Sequence, residues 1–162
     1  MQYTLSILVE NHAGVLSKIS GLFSRRAFNI DSLAVGVTND PNVSRITVVA
    51  NGDEYVVEQL EKQLNKLIPV IKVKRLIPGE YISRELSLIK VNCPAAKRFE
   101  IIKIAELCGA KLIDSAPTSV SLEFSGTSEN TANLLNLLKP YGIREIVRTG
   151  VVAMEKGASV TK

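Results

Sequence analysis

Tyr3, Leu5, Ile7 and Val9 alternate with Thr4, Ser6 and Leu8, the period-2 pattern of a strand with at least one buried face. The strand ends at Glu10 and Asn11. Beyond Gly14 the interval changes, and Val15, Ile19, Leu22 and Phe23 recur at helical spacing, which predicts a helix over 15–26. Strand-like runs follow at 30–38 and 44–50, separated by the turn "NDPN". Val57, Leu60, Leu64 and Leu67 then form the stripe of a second helix that begins near Asp53. Acids stand at its start and Lys62 and Lys66 near its end, the charge order that suits the helix dipole. Pro69 stops this helix, Val70 to Leu76 make a further strand, and "PGE" at 78–80 marks a boundary.

The same order then repeats. A strand at 84–91 precedes a helix at 97–108 with Ile101, Ile104, Ala105 and Cys108 on one face, and a strand at 111–114 leads to a turn at Pro117. Val120, Leu122 and Phe124 alternate with polar residues; "GTS" at 126–128 caps a helix over 128–138, striped by Thr131, Leu134, Leu135 and Leu138. Pro140 and Gly142 end it, residues 143–153 close as one strand, and the polar tail after Met154 is expected to be loose. Each half is therefore βαββαβ. With right-handed crossovers, the predicted fold class is α+β: two ferredoxin-like units, residues 1–78 and 79–162, each an antiparallel four-stranded sheet with two helices on one face. Strands such as "ITVVA" are apolar on both faces, so part of the helix-free side is expected to be covered by the other half or by a second chain.

Composition narrows the function more by exclusion than by assignment. The 162 residues are 46% hydrophobic, ample for packed cores, and no apolar run approaches the length of a membrane span. The start lacks the basic opening and cleavage site of a signal peptide, so the expected location is the cytoplasm. The net charge of +4 is spread evenly, with nine Lys/Arg against seven Asp/Glu in residues 1–78 and eleven against nine thereafter. Only Arg25–Arg26 and "KVKR" at 72–75 are dense, and "SRITVVA" and "SVSLEF" hold a single aromatic, Phe124, so recognition of nucleic acid is not expected. Cys93 and Cys108 are too few and too widely spaced for a disulfide framework or a zinc site. Neither a nucleophile motif nor a phosphate-binding glycine run is present, and the single histidine, His12, reads more simply as a loop residue than as a base.

What remains is the turn between the first strand and its helix. The first-turn amides and the positive end of the helix dipole favour a carboxylate there, and Gly14 has no side chain to block its approach. Asn11 and Asn29 supply oxygens for an ammonium, while Val15, Leu16 and Ile30 offer apolar surface for an aliphatic side chain. Read alone, Asn-x-x-Gly before a helix is more often a plain turn and cap than an amino-acid cradle.

The longer string decides between them. "VENHAGVLSKISGLFSRRAFNIDSLAVGVTNDPNVSRITVV", with "QLNKLIPVIKV", "RELSLIKV" and "IREIVRTGVVAMEKG", resembles the regulatory small subunits of acetolactate synthase, whose first half is an ACT domain. The resemblance covers nearly the whole chain. It implies a partner, the catalytic large subunit, which holds thiamine diphosphate, magnesium and FAD, with no cofactor in this chain and no catalytic residues of its own. It further implies a homodimer that raises large-subunit activity and confers feedback inhibition by valine or another branched-chain amino acid. The effector is expected between chains, at Asn11, Ala13, Gly14, Val15 and Leu16 of one and Asn29, Ile30 and Asp31 of the other. Ala13 departs from the proline that many relatives carry, which loosens the turn without removing a contact. The alternative is a free-standing ACT module acting on another partner. On the family reading, residues 1–78 bind effector and 79–162 are the C-terminal ferredoxin-like domain typical of these small subunits.

Overall fold

The computed structural model describes residues 1–25 and 29–161. The first βαββαβ run comprises β1 (Gln2–Glu10), α1 (Val15–Arg25), β2 (Asn29–Val37), β3 (Val43–Asn51), α2 (Glu54–Leu64) and β4 (Val70–Leu76). Its antiparallel sheet has the order β2-β3-β1-β4. Leu5, Ile7 and Val9 of β1 and Ile46, Val48 and Ala50 of β3 share one core with Val15, Ile19 and Phe23 of α1 and Leu60 and Leu64 of α2. Alternation puts every second residue of a strand on this face, and the 3.6-residue period brings the helical stripes down onto it. Asp53 caps α2 by accepting the Val56 N–H at 2.9 Å, which satisfies one of the amides that a helix start leaves unpaired.

A small polar network joins α2 to the sheet. Tyr3 Oη donates to Glu54 Oε2 at 3.0 Å, and Arg75 donates to the other Glu54 oxygen while its Nε lies 3.1 Å from Glu61 Oε1. The Arg75 hydrogen bond, followed by that from Tyr3, holds the Glu54 carboxyl below its ordinary range. Burial pushes the Glu61 carboxyl up against the pull of Arg75.

The second run comprises β5 (Tyr81–Asn92), α3 (Arg98–Cys108), β6 (Lys111–Ala116), β7 (Ser119–Gly126), α4 (Ser128–Leu138) and β8 (Ile143–Arg148), with order β6-β7-β5-β8. Ile89, Val91, Val120, Leu122 and Phe124 pack here against Ile101, Ala105, Leu134 and Leu138. The molecule is thus built of two ferredoxin-like βαββαβ units. The repeat extends to irregularities of the ladders: β2 slips register between Ile30 and Ser32, and β6 slips between Leu112 and Asp114. Such bulges bend an edge strand and re-aim the residue that stands out, here Asp31 in the first unit.

The C-terminal segment differs from the sequence expectation. Residues 143–153 do not form one strand; β8 ends at Arg148, Gly150 adopts φ +80°, and a separate β9 (Val152–Glu155) pairs with β5 as a fifth strand of that sheet. A residue with positive φ cannot continue a β-ladder, so the glycine breaks the strand. Nor is the tail after Met154 loose: the Lys156 N–H donates to Glu80 O at 2.9 Å, its ammonium donates to Gly79 O at 2.8 Å, and Thr161 is 4% exposed. By contact, the chain divides into one unit of Met1–Ser83 with Val151–Lys162 and another of Arg84–Gly150.

Candidate effector-binding site

The turn after β1 is tied to the segment just ahead of β3. The Asn11 N–H donates to Asn42 O at 2.7 Å, and its side-chain amide donates to Pro41 O at 2.8 Å. Committing the amide nitrogen to Pro41 leaves Oδ1 of Asn11 as the group that can accept from a ligand. Gly14 adopts φ +87°, and a Cβ built there would meet no heavy atom within 4 Å. The backbone is therefore open to close approach, and only a residue without a side chain takes this conformation cheaply. α1 begins one residue later, so the amides of its first turn lie beside this opening.

Side-chain burial sorts the expected apolar contacts. Leu16 is exposed, Ile30 is half-buried against the core, and Val15 is buried within it. Val15 therefore cannot offer its side chain to a ligand, contrary to the expectation from sequence, and its main-chain N–H faces His12 O at 3.5 Å. Ala13 is exposed in the turn. His12 bonds its neighbours, with Nε2 3.1 Å from Glu10 Oε2 and Nδ1 3.1 Å from Ala13 O, as a loop residue does.

The second group of residues is at the start of β2. Asn29 donates its amide to Asp31 Oδ1 at 3.0 Å, while Gln2 Nε2, at 3.3 Å, and Asn51 Nδ2 both donate to Asp31 Oδ2. The carboxylate thus fixes three amides at once, and with its nitrogen committed to Asp31, Asn29 keeps Oδ1 as its acceptor. Sequence reasoning missed Gln2 and Asn51. The register aligns them across three strands, Asn29 opposite Asn51 and Asn51 opposite Gln2, and only long-range pairing reveals that row.

The two groups are far apart within one chain. Asn11 lies beside Asn42, ahead of β3, whereas Asn29 lies opposite Asn51, its last residue. Eight residue steps along β3 separate these ends, about 27 Å at the rise of an antiparallel strand. Asn11 to Leu16 are brought together at one end of the sheet and Asn29 to Asp31 at the other; a single amino acid cannot touch both in one chain.

The corresponding turn of the second unit is a different surface. Pro94 leads into a 3-10 turn over Ala95–Lys97, and the Lys97 ammonium donates to Glu100 Oε1 at 3.0 Å, with Tyr141 Oη donating to Glu100 Oε2 at 3.0 Å. Lys97 and then Tyr141 hold the Glu100 carboxyl below its ordinary range. This carboxylate and lysine neutralise each other, and no glycine opens the backbone. Among the described residues no group of three or more His, Cys, Asp or Glu could hold a metal ion, and no helix is long and apolar enough to cross a membrane. Cys93 is a buried free thiol, and Phe124 is buried in the core rather than presented for stacking.

Comparison with known proteins agrees along the chain. Residues 5–72 match the family model of the AHAS small subunit-like ACT domain, and residues 84–157 match that of the small subunit of acetolactate synthase. The acetolactate synthase small subunit of Mycolicibacterium smegmatis is 48% identical over 96% of this chain and 91% of that protein. The probable small subunit of Archaeoglobus fulgidus is 45% identical over 97% of this chain and 98% of its own. Among solved structures, the acetolactate synthase small subunit from Thermotoga maritima superposes with a TM-score of 0.89 at 37% identity, covering 98% of this chain and 99% of that one. Two tandem family matches, full-length relatives and a common architecture converge: the chain belongs to the family of acetolactate synthase small subunits.

Proposed function

We propose that this chain binds the catalytic large subunit of acetolactate synthase, raises its activity, and makes it subject to feedback inhibition by valine or another branched-chain amino acid. The observation that carries the effector half of this reading is the separation of the two polar groups. Asn11 with the open Gly14 turn, and Asn29 with Asp31, each present half of a zwitterion site, and they stand at opposite ends of one sheet. A second copy in antiparallel alignment would bring the start of its β2 to the turn of the first.

The edge of the sheet fits such pairing. Among the described residues β2 pairs with a strand on one side only, and it exposes Leu33, Val35 and Val37 at 36%, 48% and 58%. An unpaired strand carrying exposed aliphatic residues is a template for another strand, and soluble proteins usually blunt or cover it. Pairing β2 with its copy would cover these residues and complete two equivalent sites in a homodimer. In each, the α1 amides and the Gly14 backbone would take the carboxylate, the asparagine oxygens the ammonium, and Leu16 and Ile30 the aliphatic side chain. One methylene in such a pocket is worth about 1–3 kcal/mol, so valine, leucine and isoleucine compete on close terms.

The condensation of two pyruvates belongs to the large subunit, with thiamine diphosphate, magnesium and FAD bound there and none assigned to this chain. The small-subunit family match over residues 84–157 favours this reading over a free-standing sensor, which would need only the first unit. Co-purification of the chain with its large subunit, with acetolactate formation measured with and without it, tests the proposal. Stable association and raised activity are expected; an inert mixture would refute it.

A further inference from the structure

The helix-free face of the first sheet is covered. Thr4, Ser6 and Leu8 of β1 and Thr47 and Val49 of β3 lie opposite the core face, yet each is no more than 7% exposed. Residues 151–161 anchor on this side, and at points spread across the sheet. The Val151 N–H donates to Ser32 Oγ of β2 at 2.7 Å, Arg45 Nη2 of β3 donates to Thr161 O at 3.3 Å, and Glu155 Oε1 meets Lys74 Nζ of β4 at 2.6 Å. β9 packs on β1 between these anchors, with Ala153 buried. The segment is a strap over the effector unit.

Its seat differs from a core. Hydroxyls of Thr4, Ser6 and Thr47 lie in the covered layer, and Ser6 Oγ and Glu155 Oε2 are buried with no hydrogen-bond partner among the described residues. Water would satisfy both atoms if the strap lifted, so the unpaired groups work against seating while the three anchors work for it. The seat is therefore held by a few polar contacts rather than by a continuous apolar core. The first anchor is also the one nearest the candidate site: Ser32 follows Asp31, the bulged residue that fixes Asn29. The strap begins where the chain leaves Arg84–Gly150 to rejoin the first unit.

We propose that residues 151–161 form a releasable latch and that Ser32 links its seating to effector occupancy. The proposal rests on the assignment of the effector to the start of β2. A ligand held by Asn29 immobilises the bulge, keeps Ser32 Oγ in place for the Val151 N–H, and so carries occupancy to the point where the chain passes into the second unit. Ser32 is a positioning residue in this scheme and touches no ligand.

Hydrogen exchange on the full-length chain, alone and with saturating L-valine, tests it. Valine is expected to slow exchange of residues 151–156 at least threefold in the wild type and in Ser32→Thr, which keeps the hydroxyl. In Ser32→Ala, valine still binds by calorimetry but leaves exchange unchanged, and inhibition of the reconstituted enzyme at saturating valine becomes incomplete. Valine binding to the wild type without any change in residues 151–156 would overturn the latch and leave the effector site standing. Full inhibition by a Ser32→Ala chain would overturn the role of Ser32. Absence of valine binding by the wild type would overturn the site assignment and the latch together.

Discussion

A mixed dimer carrying Asn11→Ala on one chain and Asn29→Ala on the other separates a cross-chain site from a single-chain one. Asn11 and Asn29 lie at opposite ends of β3, about 27 Å apart along the strand, so their oxygens can meet one ammonium only across a dimer. In the mixed dimer, one site then joins Asn11→Ala to Asn29→Ala, and the other keeps both asparagines. A hydrogen bond to a charged group contributes about 1.5–3 kcal/mol, or about 10- to 150-fold in Kd. Losing both weakens one site by about 3–6 kcal/mol and removes it from a titration, while the second binds as in the wild type. Calorimetry on mixed dimers isolated through two different tags is therefore expected to show one valine per dimer at wild-type affinity. Two sites, each weakened about 10- to 150-fold, would mean that every chain grips its own ligand and would refute the geometry.

Gly14→Asp is expected to abolish valine inhibition while leaving activation in place, because the open space beside Gly14 would receive a carboxylate where the effector's own is proposed to sit; an unchanged inhibition curve for the reconstituted variant would count against the turn. Gly142→Ala should lower the urea midpoint more than Gly14→Ala. Positive φ costs each variant about 1–2 kcal/mol, but a Cβ at Gly142 would lie 2.6 Å from Asn92 Nδ2, on a side chain that Arg144 holds. Thr127→Ala removes the acceptor of the Asn130 N–H, 3.2 Å away, and should cost about 0.5–2 kcal/mol in a denaturant titration.

Local signals carried most of the fold. Val57, Leu60 and Leu64 are buried at the spacing that predicts α2, Asp53 and Thr127 cap the helices they precede, and β4 covers Val70–Leu76 as read from its pattern. Each of these depends on residues within one or two turns of one another, so periodicity and capping chemistry suffice. The strap was illegible for the opposite reason. Its bonds join residues far apart in sequence, Arg45 and Thr161 being 116 positions apart, and a short mixed segment bracketed and broken by Gly150 and Gly157 has no period to betray docking. The candidate site divides along the same line: the Gly14 turn is a local pattern, whereas the Asp31 clamp needs the pairing of Gln2, Asn51 and Asn29 across β1, β3 and β2. The division of Asn11 and Asn29 between opposite ends of the sheet follows from topology, not from their separation in sequence.

The measurement that bears most directly on the central claim is acetolactate formation from pyruvate by the large subunit alone, with this chain added, and with this chain plus L-valine, L-leucine or L-isoleucine in turn. Low activity alone, a clear rise on adding the chain, and suppression of that activity by at least one of the three amino acids only when the chain is present are expected. Activity that the chain leaves unchanged, or an effector response equal with and without it, would show that this chain does not regulate the large subunit.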